Sequence, residues 1–278
     1  MSVVHNGYGK SGIRLVKVVR RGDLHDVQDL DVDVRFEGEF ARAYTDGDNT
    51  MVLPTDTMKN TVYALAREIA LDDVEAFGLG LTEHFLGSTP DVREVRVDLA
   101  QRPWERLVVG GKTQGRAFVR PAGERRTASV TRSRAGVTVE AGIRDLLVLK
   151  TSGSGFEDFL VDGYTTLKET SDRLLATVVN ATWTYTTSDV EFGLRWRGIR
   201  QAMLDTFAEH VSRSVQHTLH LMARAALDIC DDIAEIRLSL PNKHHVLVDL
   251  SAFGLDNPNE IFVATEAPYG LIEATIRR

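Results

Sequence analysis

The chain has 278 residues, 43% of them hydrophobic and 26% charged, and carries a formal charge of −7. That length allows one large core or two medium ones, and the composition is that of an ordinary globular protein. The negative balance excludes nucleic-acid binding and a polybasic membrane protein as main functions, since neither phosphate backbones nor anionic lipids are attracted. It leaves room for a local basic site for one anion.

Cys230 is the only cysteine, so no intrachain disulfide forms. Asp231 and Asp232 beside it oppose a thiolate, and it reads as packing at a helix end. The opening MSVVHNGYGK has no apolar h-region, no stretch reaches the length of a membrane span, and TIRR is not a peroxisomal tail. A cytoplasmic protein without a membrane partner is the expectation.

Residues 12–20 and 27–44 read as a long hairpin. Val32, Val34 and Phe36 alternate with Asp31, Asp33, Arg35 and Glu37, and RRGDLHD supplies the turn. LPTDTMKN opens a helix with Asp56 or Thr57 as cap, followed by Val62, Leu65, Ala66 and Ile69 at helical spacing. A second helix from about Asp72 carries Val74, Phe77, Leu81 and Phe85. A strand at 92–100 follows, in which Val95, Val97 and Leu99 alternate with polar residues, and 115–121 is expected to return as another.

The second half repeats this order. Strands are predicted at 137–150 and 174–187, with Leu146–Leu149 as a buried run. Helices follow at about 198–212, spacing Ile199, Met203 and Phe207, and at 214–229, spacing Val215, Leu219, Met222 and Ala226. Strands return at 233–240 and 245–250. DVREVRVDL at 91–99 aligns with DIAEIRLSL at 232–240, and GIR at 12–14 recurs at 142–144. Together with the repeated β-β-α-α-β-β order, these point to a tandem duplication. Strand pairs separated by helix pairs imply an α+β protein whose antiparallel sheet has helices on one face. The open edges of such a sheet make oligomerisation a structural expectation.

Several apparent motifs are decoys. GGKT at 110–113 lacks the earlier glycine of a phosphate loop, because Arg106 stands there, and reads as a hairpin turn. DGDN at 46–49 lacks the spaced acids of a calcium loop. His217 and His220 lie one helical turn apart, while His244 and His245 are read as neighbours in a strand and so point to opposite faces. This does not meet the spacing of a zinc site, and no protein-bound metal is expected. What remains is a scatter of polar residues, Lys10, Thr55, Asp56, Gln216, Asn242 and His244, each explicable alone as a solvated, capping or turn residue. Phe156, after a Gly/Ser loop, and the later Arg173 could stack on and fork onto a flat anionic ring, or serve as a core aromatic and a surface cation.

The segment LLVLKTSGSGFEDFLVDGYTTLKETSDR, Leu146–Arg173, closely resembles the signature of the urate oxidase (uricase) family in its K-T-S-x-S-x-F core and the Phe, Tyr, Leu and Arg that follow. The resemblance extends over essentially the whole chain through YGK, TDTMKNT, SVQ and LPNKH. It implies the tunnelling fold: two tandem β-β-α-α-β-β repeats, here 1–135 and 136–278, with dimers closing a barrel and two barrels stacking into a homotetramer.

It also implies oxidation of urate by dioxygen and water to 5-hydroxyisourate and hydrogen peroxide, with no metal or organic cofactor. By the same resemblance Phe156 stacks on the purine, Arg173 and Gln216 grip opposite edges, and Val215 and Leu167 complete the pocket. Asn242 holds dioxygen or water over the ring. Lys10, Thr55 and His244 form a proton relay, and Asp56 meets urate through its backbone N–H. Lys10, Thr55 and Asp56 are expected from the neighbouring subunit.

Two positions depart from the family pattern: Ser171 stands where Trp is frequent, and His245 where an aromatic is common. The competing readings are a pterin-type tunnelling-fold enzyme, which usually anchors its ring with Glu where Gln216 stands here, and a non-catalytic purine-binding oligomer, which would lack Lys10, Thr55 or His244.

Overall fold

The period-two pattern near the start becomes two long antiparallel strands, β1 (Gly7–Arg21) and β2 (Leu24–Gly38), joined at Gly22–Asp23. They open a computed structural model that describes residues 3–278. The chain divides into two units: one runs to Gly142 and includes Trp183–Trp196, and the other consists of Ile143–Thr182 and Arg197–Arg278.

In the first unit β2 is followed by α1 (Ala41–Thr45), α2 (Thr55–Glu68) and α3 (Val74–Ser88). Then come β3 (Val92–Arg102), β4 (Glu105–Val109), β5 (Lys112–Val119), β6 (Arg125–Ser133) and the start of β7 (Gly136–Lys150). The sheet order is β1-β2-β3-β6, with every pairing antiparallel. Val32, Val34, Phe36, Val95 and Val97 project from one face onto Met58 and Val62 of α2 and Phe77, Leu81 and Phe85 of α3, all buried. Both helices pack on this face because their apolar stripes have nowhere else to leave water.

Beneath α3 lies a buried ion pair. Arg126 of β6 donates to Glu75 at 2.5 Å and reaches Asp73 at 3.3 Å. Its guanidinium stands 5.5 Å from the ring centre of Trp196, whose indole N–H is held by the Gly142 carbonyl.

Three sequence expectations are corrected in this unit. The second strand stops at Gly38 instead of 44: Phe40 turns inward, fully buried, and α1 follows. The cap of α2 is neither Asp56 nor Thr57 but Pro54, which makes no side-chain cap bond, and both expected caps lie in the first turn. The strand near 115–121, β5, does not rejoin the sheet but pairs with β4 in a separate hairpin, and β6 takes its place beside β3. The letters of β6, RRTASVTRS, hide its core face, since only Ala128 and Val130 are apolar there.

The second unit holds the latter part of β7, then β8 (Leu175–Tyr185) up to Thr182, and α4 (Phe192–Glu209) from Arg197. It continues with α5 (Val215–Ile229), β9 (Ile233–Ser239), β10 (Asn242–Lys243), β11 (His245–Leu247), β12 (Phe262–Ala264) and β13 (Glu273–Arg277). Its sheet runs β7-β8-β9-β13, with β10 paired to β8. Helix α5 lies against β9 and β13 and buries Val215, Leu219, Met222 and Ala226, the spacing read from sequence. Cys230 is its buried C-cap.

Here too the sequence reading needs correction. Strand 245–250 is only β11, which pairs with β12 in a two-stranded ribbon, while β13 fills the edge beside β9. The run Leu146–Leu149 is not buried throughout: Leu146 is, but Leu147 and Leu149 are 66% and 53% exposed, the alternation of a one-sided sheet. His244 and His245 do not share a continuous strand, since β10 ends at Lys243 and β11 begins at His245.

Candidate active site

In the first unit, Lys10 owes its direction to a bulge. Lys10 lies opposite Val34 while Ile13 lies opposite Val32, so β1 carries one extra residue between them, at Ser11–Gly12. Gly12 adopts φ 69°, and its N–H donates to Asp33 Oδ1 at 2.6 Å. Directly opposed residues share a face, so the bulge puts Lys10 on the helix-covered side with Val34. A regular strand would have sent it to the other side. Gly9 before it is obligatory, because a Cβ there would sit 2.0 Å from the Val34 carbonyl oxygen.

Thr55 and Asp56 begin α2. The first intrahelical bond runs from Met58 N–H to Pro54 O, so the preceding N–H groups of Thr55, Asp56 and Thr57 have no helical acceptor. The Asp56 carboxylate is occupied within its own turn, accepting from Lys59 at 2.5 Å and Asn60 at 3.0 Å. Those hydrogen bonds, the Lys59 one first, hold its pKa below the ordinary value, and the charge of Lys10 adds to the effect. At Asp56 the side chain is thus engaged within the helix while the N–H has no helical acceptor. Tyr8, which the sequence reading passed over, fixes this corner. Its hydroxyl accepts from Leu53 N–H at 2.8 Å, tying the approach to α2 onto β1 two residues from Lys10. Its ring packs edge-on against Phe36 and Phe40, and burial raises its pKa. The available signal was its position: Tyr8 pairs with core residue Phe36.

In the second unit, the loop after β7 and the junction between α4 and α5 are joined through backbone. Ser212 N–H donates to Gly153 O at 2.9 Å, and Gly155 N–H returns to Ser212 O at 2.8 Å. Phe156 exchanges bonds with Thr170, and Arg173 N–H donates to Ser154 O at 2.7 Å. Asp172 Oδ1 accepts from Gly153 N–H at 2.6 Å. The loop thus presents Phe156 and Arg173 together, with the guanidinium carbon 5.3 Å from the ring centre. Arg173 is half-buried and its Nε has no hydrogen-bond partner among the described residues. Burial lowers its pKa from the ordinary value with no opposing carboxylate, and a guanidinium stays charged regardless.

Ser214 caps α5, its side chain accepting from His217 N–H at 3.1 Å, which places Val215, buried, and Gln216, exposed, in the first helical turn. Leu167 is 58% exposed in the single chain. Asn242 lies in β10, its N–H donating to Gly270 O at 2.8 Å. The backbone of His244 is held by Thr265, whose N–H donates to its carbonyl at 2.9 Å, while its half-buried ring makes no hydrogen bond among the described residues. No group of three or more His, Cys, Asp or Glu side chains that could hold a metal ion occurs among the described residues.

The sequence-derived set therefore falls into two groups. Lys10, Thr55 and Asp56 belong to the first unit; Phe156, Leu167, Arg173, Val215, Gln216, Asn242 and His244 belong to the second.

A family profile described as uricase matches residues 6–131 and 139–273. The uricase of Arthrobacter globiformis is 46% identical over 98% of this chain and 89% of its own length. That of Dictyostelium discoideum is 41% identical over 100% of this chain and 98% of its own. The crystal structure of uricase from Arthrobacter globiformis matches with a TM-score of 0.94 at 46% identity, covering 100% of this chain and 95% of that one. A crystal structure of urate oxidase from Bacillus sp. TB-90, at 22% identity and a TM-score of 0.87 over 98% and 100% of the two chains, shares the fold. The chain belongs to the uricase family.

Proposed function

We propose that the protein oxidises urate with dioxygen and water to 5-hydroxyisourate and hydrogen peroxide, using no metal or organic cofactor. The observation that carries this is the half-buried guanidinium of Arg173, beside the Phe156 ring and without a carboxylate partner among the described residues. A desolvated cation lacking a counter-charge favours an anionic ligand, and the adjacent aromatic face favours a planar one. Urate, already a monoanion, meets both demands.

Arg173 forks onto one edge of the ring and Gln216 pairs with the other, its amide offering both donor and acceptor. Val215 and Leu167 fill the space around it, and the N–H groups at the start of α2, at Thr55 and Asp56, receive a ring heteroatom. Removing a second proton from urate makes it electron-rich enough to reduce dioxygen. Lys10 is the base, Thr55 and His244 pass the proton, and Asn242 holds dioxygen or water over the ring. The organic ring loses two electrons and gains one hydroxyl from water, and dioxygen leaves as peroxide.

The site residues divide between the two units, and the reading assigns the two groups to neighbouring copies in a homotetramer whose sheets close into barrels. The chain is read as two tandem repeats, 1–135 and 136–278, whose bounds differ from those of the two compact units; the recurring order of strand pair, helices and strands supports it. A cytoplasmic location fits a sequence whose only cysteine is Cys230, which leaves no intrachain disulfide to form. The test is urate consumption, followed by its ultraviolet absorbance, with stoichiometric peroxide in protein exhaustively treated with chelator. Absence of turnover, or its loss on chelation, defeats the reading.

A further inference from the structure

Below the loop that presents Phe156 and Arg173 runs a buried chain of side-chain hydrogen bonds with no part in the chemistry above. Ser212 Oγ lies 2.7 Å from Thr218 Oγ1 and 3.1 Å from Ser214 O. Thr218 Oγ1 lies 3.0 Å from His210 Nε2, and His210 Nδ1 lies 2.6 Å from Thr206 O. Ser212 and Thr218 are 1% and 0% exposed. Because Nδ1 faces a carbonyl it carries the proton, and in the neutral ring Nε2 is an acceptor. With the Thr218 hydroxyl donating to His210 and that of Ser212 to Thr218, each hydroxyl proton is used once, and the Ser214 carbonyl lies 3.1 Å from both oxygens as a second acceptor.

Ser212 is the node. Its N–H and C=O hold Gly153 and Gly155, on either side of Ser154, whose carbonyl anchors Arg173. Its hydroxyl points the other way, to Thr218 and to the Ser214 carbonyl at the start of the helix that bears Gln216. The element carrying Phe156 and Arg173 and the element carrying Gln216 thus share one small buried junction. Lys150 and His217 face His210 from β7 and α5; the Lys150 ammonium donates to the His210 carbonyl, and the two imidazoles lie 5.9 Å apart. Burial first, and then the neighbouring Lys150 and His217, favour the uncharged ring.

We propose that Ser212, Thr218 and neutral His210 are positioning residues that set the spacing between the Phe156–Arg173 loop and Gln216, and so the affinity for the planar anion. The proposal rests on the urate reading given above. Removing the Thr218 hydroxyl leaves His210 Nε2 without its partner and Ser212 Oγ with only the Ser214 carbonyl, and so loosens the junction, while the groups that touch the ring stay intact.

The experiment is titration of the full-length protein with urate under anaerobic conditions, where binding is read without turnover, together with aerobic steady-state kinetics. Thr218→Val is expected to raise the urate Kd and KM by about tenfold, with kcat little changed. Thr218→Ser, which keeps the hydroxyl, is expected to restore both. Wild-type affinity in Thr218→Val, or weak binding in Thr218→Ser equal to that of the valine variant, overturns the proposal. If Thr218→Val fails to fold, Ser212→Ala is read the same way, since it keeps both backbone bonds to the loop and loses only the hydroxyl. A wild-type protein that binds urate without oxygen yet does not oxidise it in air defeats the oxidase reading alone. One that does not bind urate defeats both.

Discussion

The guanidinium carbon of Arg173 stands 5.3 Å from the centre of the Phe156 ring, close enough for cation–π attraction. The ring covers one side of the cation, and Phe159 is stacked on Phe156 at 5.0 Å. Arg173→Ala is expected to raise KM for urate by about a hundredfold with a smaller effect on kcat, because a charge-assisted fork is lost from a desolvated site. Arg173→Lys recovers little, since an ammonium cannot make the two parallel bonds. Steady-state kinetics check this, and an unchanged KM would remove Arg173 from the site.

Lys10 should show the opposite pattern. Lys10→Met keeps the length of the side chain and removes the amine, so kcat is expected to fall about a hundredfold while KM stays close to wild type. Thr55→Ala should fall on the same side of that division. A Lys10 variant whose loss lies wholly in KM would assign the amine to binding.

The buried ion pair under α3 makes a stability prediction. Glu75→Ala leaves the Arg126 guanidinium without its main partner in a site where both side chains are almost fully enclosed. Breaking such a pair from one side costs about 3–5 kcal/mol. Thermal melting should register a large drop in Tm. The double variant Glu75→Leu/Arg126→Met, which removes both charges, should recover much of it.

His210 gives a prediction with a sign. Burial first, then the charges of Lys150 and His217, lower its pKa from the ordinary 6.5. The native protein therefore binds fewer protons there than the unfolded chain does. The stabilisation is complete above the unfolded value and is lost as pH falls through the lowered native one. Melting curves taken downward from pH 7 should lose Tm more steeply for wild type than for His210→Gln. Parallel curves would show that His210 does not titrate differently on folding.

Much of this fold is legible in the letters wherever a stripe is wide and apolar. Val74, Phe77, Leu81 and Phe85 mark α3 because a period of 3.6 and full burial coincide. β13 is not legible: in EATIR only Ile276 leaves the exposed class, and an edge strand of that length carries no pattern. The same contrast holds at the site. Phe156, Arg173 and Gln216 stand out through a family signature, whereas Thr218 looks like any first-turn threonine. The overlooked clue was its place on the stripe of Met222 and Ala226, where a hydroxyl must find a buried partner. Nothing in the spacing around Lys10 announces the bulge, because a period-two reading assumes the count of residues is regular.

That count carries the last consequence. Replacing Gly12 with valine would change neither the charge of the protein nor any residue proposed to touch urate, yet it would disfavour the φ of 69° that the bulge requires, and regular pairing with the residue count unchanged would turn the Lys10 amine to the far side of the sheet. The proposed base is thus encoded as much by arithmetic as by chemistry. Among relatives that retain the lysine, a one-residue gap before the first apolar position of this strand would mark chains that keep the amine on this side with no bulge at all.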